Sequence, residues 1–229
     1  KLLNVFEIII GTFQGEQTIE ITDEVVLKNA QQSLSRYDKD GEQHYDIISA
    51  FIKSIRGSDP NAAVYWLARM VEGGEDPKFI ARRLIISASE DIGLANPNAL
   101  LIATNCFQAV EAVGFPEARI ILSQCTLYLA TSPKGNASYM AINKAQETVR
   151  ETGDLGVPLP LRNAPTALMK ELGYGEEYAY AHDYTNNFIP QEYLPEAIQE
   201  TKFYDPGTNA RENELRTFLK NRWKDKYGY

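Results

Sequence analysis

The sequence is poor in the residues that most often carry chemistry, with two cysteines and two histidines in 229 residues. Cys106 and Cys125 both fall within predicted helices, so they supply neither a disulfide framework nor a metal-ligand spacing. We interpret both as small core residues in a protein of a reducing compartment. The longest stretch without a charge, residues 92–110, includes asparagine, threonine and glutamine side chains, so no membrane span is predicted.

The motifs that cradle phosphates are also missing. The sequence contains no G-x-x-x-x-G-K-[ST] and no G-x-G-x-x-G pattern, so nucleotide hydrolysis within this chain is not predicted. No G-x-S-x-G pattern occurs either, which removes the usual nucleophile turn of serine hydrolases. We therefore predict no catalytic residue, no bound cofactor and no metal site in this chain.

Helix-starting signals are present in their place. Asp59-Pro60, Asp76-Pro77 and Asn96-Pro97 each precede an apolar run. An aspartate or asparagine side chain accepts from the free amides of a first helical turn, and a proline just inside has no amide to leave unsatisfied. All five prolines before Gly153 fall where a new helix can begin. The pattern predicts an all-α fold.

The predicted helices group into two regions separated by a charged linker at residues 36–43. Residues 1–40 read as a small two-helix unit, and residues 41–229 as a helical domain. In the larger region we predict helices at about 45–55, 60–71, 77–92, 97–113, 116–130 and 136–150. Residues 152–209 hold six of the eleven prolines and read as an irregular wrapping segment, whose aromatic rings are expected to be pinned by burial. Residues 210–229 are predicted to form a terminal helix.

The charge is unevenly distributed. The net charge is -8, but residues 210–229 carry +3, which leaves -11 for the rest of the chain. An acidic body repels phosphate backbones, so strong DNA binding by this chain alone is not expected. A local basic face remains an alternative, with Lys53, Arg56, Arg82, Arg83 and Lys134 as possible nucleic-acid contacts. The competing interpretation is structural, because cations are favoured at helix C-termini and arginines pair with nearby carboxylates such as Glu90 or Asp91.

A second alternative is a metal-dependent phosphohydrolase. His182-Asp183 matches the paired ligands of helical HD-type phosphohydrolases, and His44 and Asp205 would have to complete the set. The competing interpretation is a histidine bonded locally within the wrapping segment.

Three segments together resemble a known family. They are YDIISAFIKSIRGSDPNAAVYWLARM (45–70), GGEDPKFIARRLIISASEDIG (73–93) and LRNAPTALMKELGYG (161–175). They are similar to the C-terminal region of the replication-associated recombination protein A family, which includes the Werner-helicase-interacting AAA+ ATPases. The likeness runs from Lys1 to about Tyr204, and one departure is Gly135, where family members usually have serine.

The resemblance implies a remnant of the AAA+ lid domain at residues 1–40, followed by a clamp-loader-collar-like domain. It also implies that the ATPase core, with its ATP and magnesium, lies on a preceding part of a longer protein. The expected partners are sister copies in a homotetramer, and DNA and replication-fork proteins through the parent. The expected location is cytoplasmic, at the nucleoid. From the residues themselves, we expect apolar helices between residues 96 and 130 to supply the surface for self-association, because their long uncharged stretches exceed what one buried face requires.

Overall fold

A computed structural model describes Thr22 and residues 42–229. The predicted lid-domain remnant at residues 1–40 therefore lies outside the described residues, apart from Thr22. Within them the fold is all-helical, as predicted, with eight α-helices and no strand. The helices are α1 (Glu42–Arg56), α2 (Pro60–Glu72), α3 (Pro77–Ser87), α4 (Asn98–Val113), α5 (Ala118–Thr131), α6 (Ala137–Thr152), α7 (Ala167–Glu171) and α8 (Ala210–Trp223).

The predicted helix starts are confirmed at α2 and α3. The Asp59 carboxylate accepts from the amides of Asn61 at 3.0 Å and Ala62 at 2.9 Å, and Pro60 follows as the first helical residue. Asp76 accepts from the Lys78 amide at 3.0 Å. These bonds satisfy amides that a helix start otherwise leaves free. Local sequence thus fixes where these two helices begin.

The helix predicted over residues 77–92 is not a single α-helix. α3 ends at Ser87, and a π-helical turn (Ala88–Ile92) and a 3-10 turn (Gly93–Ala95) follow. Gly93 has a φ of +49°, and a Cβ at this position would lie 2.9 Å from the Gly135 carbonyl oxygen. Glycine is required there because the backbone is left-handed and a second backbone segment approaches closely.

The described residues divide between two compact units. The first unit contains α1, α2, α3, residues 102–113 of α4, and α5. In it α5 packs against α1, α2 and α3, and α1 also packs against α2. Phe51, Leu84 and Leu122 are fully buried in its core. The amphipathic pattern of each helix therefore produces the buried face that it predicts.

The second unit contains residues 88–101 and everything from Ser132 to Tyr229. α6 and α8 both pack against the 3-10 turn Gly93–Ala95. α8 is capped by Asn209, which accepts from the Glu212 amide at 3.0 Å, and Glu212 is fully buried. This unit is held by loops and short turns as much as by helix pairs.

The rings of the wrapping segment are covered only in part, because Tyr174, Phe188, Phe203 and Tyr204 are half-buried whereas four other tyrosines are exposed. Tyr178, Tyr180, Tyr184 and Tyr193 are 41% to 55% exposed. Where rings do pack, they meet edge to face at the C-terminal end, as Phe188 and Trp223 do at 5.4 Å between centroids. Proline-rich backbone runs over the surface of its unit, so one side of each ring stays in contact with water.

Candidate interaction surfaces

The five predicted nucleic-acid contacts are divided between the two units and do not form one cluster within either of them. Lys53 and Arg56 lie exposed in the last turn of α1, and Arg82 and Arg83 lie on α3, all in the first unit. Lys134 belongs to the second unit. The placement of Lys53 and Arg56 at a helix C-terminus is the one that the helix dipole favours.

The other three cations already have protein neighbours or restricted exposure. Arg82 pairs with Asp76 at 3.6 Å, rather than with the Glu90 or Asp91 considered from the sequence, and lies over the Phe79 ring. Arg83 is half-buried, and its Nε has no hydrogen-bond partner among the described residues. Lys134 donates from Nζ to the Ser132 carbonyl at 2.6 Å. Burial lowers the pKa of Lys134 below its ordinary value, and the nearby charge of Asp91 opposes that shift.

The residues of the metal hypothesis have other contacts. His44 lies 3.1 Å from the Glu75 carboxylate in the first unit. Asp205 binds Lys202 at 2.7 Å and Arg216 at 2.9 Å. His182 is exposed beside the Tyr180 ring in a 3-10 turn. Across residues 42–229 and Thr22, no group of three or more metal-ligating side chains is found.

The loop before α6 is fixed by contacts within the second unit. The Gly135 amide donates to the Asp91 carbonyl at 2.9 Å, and the Asn96 side chain donates to the Ser132 hydroxyl at 3.1 Å. A Cβ on Gly135 would collide with Oε2 of Glu212 and lie 3.1 Å from the Ala95 Cβ. The glycine at this position therefore lets the loop lie directly against the buried Glu212 carboxylate.

α6 is the least covered long helix of the second unit. None of its sixteen residues, all of them described, is buried. Ile142 is 54% exposed and Val149 is 58% exposed. These two residues are seven positions apart, so they lie on the same face of the helix, two turns from each other. An apolar stripe therefore faces solvent along α6.

Two adjoining grooves run along this stripe. The first has a volume of about 420 Å³ and the second about 330 Å³, and both are lined by Ala145 and Phe203. We call this continuous surface the α6 groove. Its other apolar lining residues are Leu94, Ala141, Ile142, Val149, Tyr204, Leu155, Leu194, Pro195 and Ile198. The lining is mostly apolar, with Ser138, Thr148, Thr152 and Asp154 as its polar side chains, and such a surface is typical of protein contacts.

The helices that the sequence favoured for self-association also expose apolar residues. In the first unit, Ile120 of α5 is 59% exposed and Leu127 is 41% exposed. Six of the fourteen residues of α5 are nevertheless buried in the core, among them Ala118, Leu122 and Leu129. Burial in the first unit therefore explains only part of the apolar excess between residues 96 and 130, since Leu101 and Val113 of α4 are 63% and 52% exposed.

Sequence reasoning placed a helix at α6 but did not identify the α6 groove. The signal present in the sequence is the spacing of Ala141, Ile142, Ala145 and Val149. The opposite wall comes from residues 155–204, which have no periodicity that places them beside α6. Only the fold brings the two walls together.

No helix among the described residues is long and apolar enough to cross a membrane.

Comparison with known proteins gives two family matches. A family described as "MgsA AAA+ ATPase C terminal" matches residues 57–223, and one described as "AAA C-terminal domain" matches residues 1–56. The first match reaches the last residue of α8, beyond the Tyr204 limit of the likeness noted from the sequence. Both descriptions refer to the C-terminal part of AAA+ proteins.

Individual relatives agree with these matches. A Thermotoga maritima protein described as uncharacterised is 49% identical over 228 residues, covering 100% of this chain and 36% of that protein. The "Replication-associated recombination protein A" of Coxiella burnetii is 44% identical over 96% of this chain and 50% of its own length. The protein of the same name from Escherichia coli K12 is 44% identical over 84% of this chain and 43% of its own length. The chain thus spans half or less of the length of these relatives.

Proposed function

We propose that this chain, which belongs to the replication-associated recombination protein A family of AAA+ ATPases, is the part of its parent through which copies associate into a homotetramer. Residues 57–223 match the family described as "MgsA AAA+ ATPase C terminal", and residues 1–56 match the broader "AAA C-terminal domain". Self-association would bury the apolar surface that α6 exposes to water. The number four comes from the family resemblance.

The observation that carries the proposal is the α6 groove. A sixteen-residue helix with no buried residue gains little stability from packing within its own chain, since most helical stability in proteins comes from packing an apolar face. A second copy would cover Ile142 and Val149 and fill the space beside Phe203. Contacts between identical patches pair two copies, so the α6 groove would supply one of the interfaces that a tetramer needs.

The wider role follows from the same membership and is likewise proposed. The parent would hydrolyse ATP with magnesium in a core outside this chain, in response to DNA at stalled replication forks. The chain itself would be non-catalytic and would act at the nucleoid in the cytoplasm. Its partners would be sister copies directly, and DNA and fork proteins through the parent.

The test is the mass of the purified chain in solution. Light scattering coupled to gel filtration should give four times the monomer mass of 25.7 kDa at micromolar concentration. The double variant Ile142→Glu/Val149→Glu places two carboxylates on the apolar stripe. We expect it to dissociate at concentrations at least about tenfold higher than the wild type does, because buried unpaired charges are costly at interfaces.

Two further variants make the result specific. Leu168→Glu changes a residue that is 63% exposed elsewhere in the second unit and should leave the mass unchanged. Ile120→Glu tests the surface that the sequence favoured. A monomeric wild type would refute self-association, whereas a tetramer lost only in Ile120→Glu would keep self-association and reject the α6 groove.

A further inference from the structure

The two cysteines of the chain are neighbours in the first unit. Cys106 lies on α4 and Cys125 on α5, and they are 5% and 2% exposed. The Cys106 thiol donates to the Ile121 carbonyl at 3.8 Å. Ile121 precedes Cys125 by four residues, so Cys106 lies against the helical turn that leads to Cys125. Tertiary packing thus pairs two residues that sequence spacing left unconnected.

The two side chains also interact directly and unequally. The interaction with the Cys125 thiol lowers the pKa of Cys106, although burial opposes the shift. The same interaction, burial and the negative charge on Cys106 all raise the pKa of Cys125. Cys106 is therefore the thiol that ionises first, and the thiolate is the reactive form of cysteine.

We propose that Cys106 and Cys125 form a redox-modification site, at which hydrogen peroxide converts the two thiols into an intrachain disulfide that links α4 to α5. This inference concerns a modification of the first unit and does not depend on the proposed self-association.

The reaction balances in two steps. The Cys106 thiolate attacks one peroxide oxygen, the O–O bond breaks, and the departing hydroxide takes up a proton to become water. Cys106 is then a sulfenic acid. The Cys125 sulfur attacks the Cys106 sulfur, its thiol proton is released, and the departing hydroxide leaves as a second water. Two thiols lose two hydrogens in total, and one peroxide is reduced to two waters.

Peroxide suits this site because of its size. Both thiols are buried, so an oxidant must enter during local opening of the helix pair. Hydrogen peroxide is scarcely larger than water, whereas bulky disulfide reagents need a wider opening. Once formed, the bond closes a loop that contains residues 107–124, and closure of such a loop limits the freedom of the unfolded chain.

The first experiment uses the wild-type chain of 229 residues. After treatment with hydrogen peroxide, the protein is unfolded, alkylated with N-ethylmaleimide and weighed intact by mass spectrometry. We expect the oxidised chain to lose two hydrogens and take up no alkylating group, and the reduced chain to take up two. The thermal unfolding midpoint should rise by several degrees on oxidation and return after dithiothreitol.

Single variants then test which thiol reacts with peroxide. In Cys125→Ser no resolving thiol remains, but a hydroxyl can still donate to Cys106, so dimedone should trap a sulfenic acid on Cys106. In Cys106→Ser, dimedone labelling of Cys125 should be slower by about tenfold or more, because the hydroxyl at position 106 can still accept from the Cys125 thiol and favours its protonated form. Equal labelling of the two variants would contradict the assigned order of attack.

The wild-type masses decide the proposal even where a variant folds poorly. Two thiols that still take up the alkylating reagent after peroxide would overturn it. Addition of oxygen atoms to each thiol without loss of hydrogen would overturn it as well. A disulfide found only between two chains would also be incompatible with the intrachain pair.

Discussion

At the scale of single residues, the second unit is organised around a buried carboxylate. Glu212 is fully buried, and its Oε2 accepts from the Asn209 side chain that caps α8. Its Oε1 has no hydrogen-bond partner among the described residues. Gly135 and Gly207 lie so close that a Cβ on either would meet Oε2. These glycines are therefore constrained by a neighbouring side chain rather than by their own backbone angles.

Gly135→Ala should lower the free energy of unfolding of the second unit by about 1–3 kcal/mol, because the added methyl group collides with Glu212 and crowds Ala95. The measurement is urea unfolding followed by Trp223 fluorescence in a Trp66→Phe background. Gly156→Ala is the matched control, since a Cβ there meets only the Arg162 guanidinium at an ordinary 3.5 Å. This control should be neutral or stabilising by up to about 1 kcal/mol.

A double variant identifies the source of the cost. When Glu212→Ala is already present, the added effect of Gly135→Ala should become smaller, because the colliding carboxylate is gone and only the close contact with the Ala95 Cβ remains. An unchanged cost in this background would show that Glu212 is not the obstacle.

At the same scale, Glu192 makes the stability of the second unit depend on pH. Its carboxylate accepts from Lys226 at 2.6 Å and from the amides of Tyr193 and Leu194 at 3.0 Å. Burial alone would raise the pKa of Glu192, but the hydrogen bonds from Lys226 and the two amides outweigh it and lower the pKa below its ordinary value. A lowered folded-state pKa contributes stability that is present above the unfolded pKa and is lost as pH falls through the folded one.

The urea midpoint of the second unit should therefore fall between about pH 6 and pH 3, and it should fall less in Glu192→Gln than in the wild type. Glu196→Gln serves as the control, since Glu196 is exposed in the same segment and has no ion-pair partner among the described residues. A Glu192→Gln profile that parallels the wild type would show that the Glu192–Lys226 pair does not contribute to the loss of stability at low pH.

At the scale of elements, α5 organises the first unit. It packs against α1, α2 and α3, and its Ala118, Leu122 and Leu129 are fully buried. One helix thus shares its core face among three neighbours. α2 and α3 begin at their own local caps, but they depend on α5 for burial.

Leu122→Ala should lower the free energy of unfolding of the first unit by about 2–5 kcal/mol, because it removes buried methyl groups and leaves a cavity. Ile120→Ala, two residues earlier on α5 and 59% exposed, should change it by less than about 0.5 kcal/mol. Both are measured by urea unfolding followed by Trp66 fluorescence in a Trp223→Phe background. Similar costs for the two variants would mean that α5 does not have this orientation in solution.

At the scale of the whole molecule, the net charge of -8 opposes association between copies, and apolar burial has to exceed this repulsion. Added salt screens the repulsion, whereas contacts between apolar side chains do not weaken with it. Self-association through the α6 groove should therefore persist or strengthen as salt rises.

Association also couples stability to concentration. The thermal midpoint of the wild-type chain should rise with protein concentration, because copies bind the folded state and not the unfolded one. The same series with Ile142→Glu/Val149→Glu should be nearly flat, and scanning calorimetry over a concentration range measures both. A wild-type midpoint independent of concentration would count against the homotetramer.

Much of the fold was predictable from the sequence because helix starts are decided locally. Asp59 and Asp76 bond to amides two or three residues away, so the sequence next to them was enough. The π-helical turn at Ala88–Ile92 was not predictable, since the pattern of apolar residues continues across it. The functional expectations for Lys53, Arg56, Arg82, Arg83 and Lys134 stay predictions.

The sequence alone determined that this protein is helical, where most helices begin, and which family it resembles, because each of these depends on neighbouring residues or on long matching segments. Only the tertiary structure decided that Phe203 lies beside Ala145 in the α6 groove, that Cys106 meets Cys125, and that Gly135 abuts Glu212. The partners in these pairs are 19 to 77 residues apart in the printed sequence. Such contacts follow from how helices and loops pack, and local periodicity carries no information about that packing.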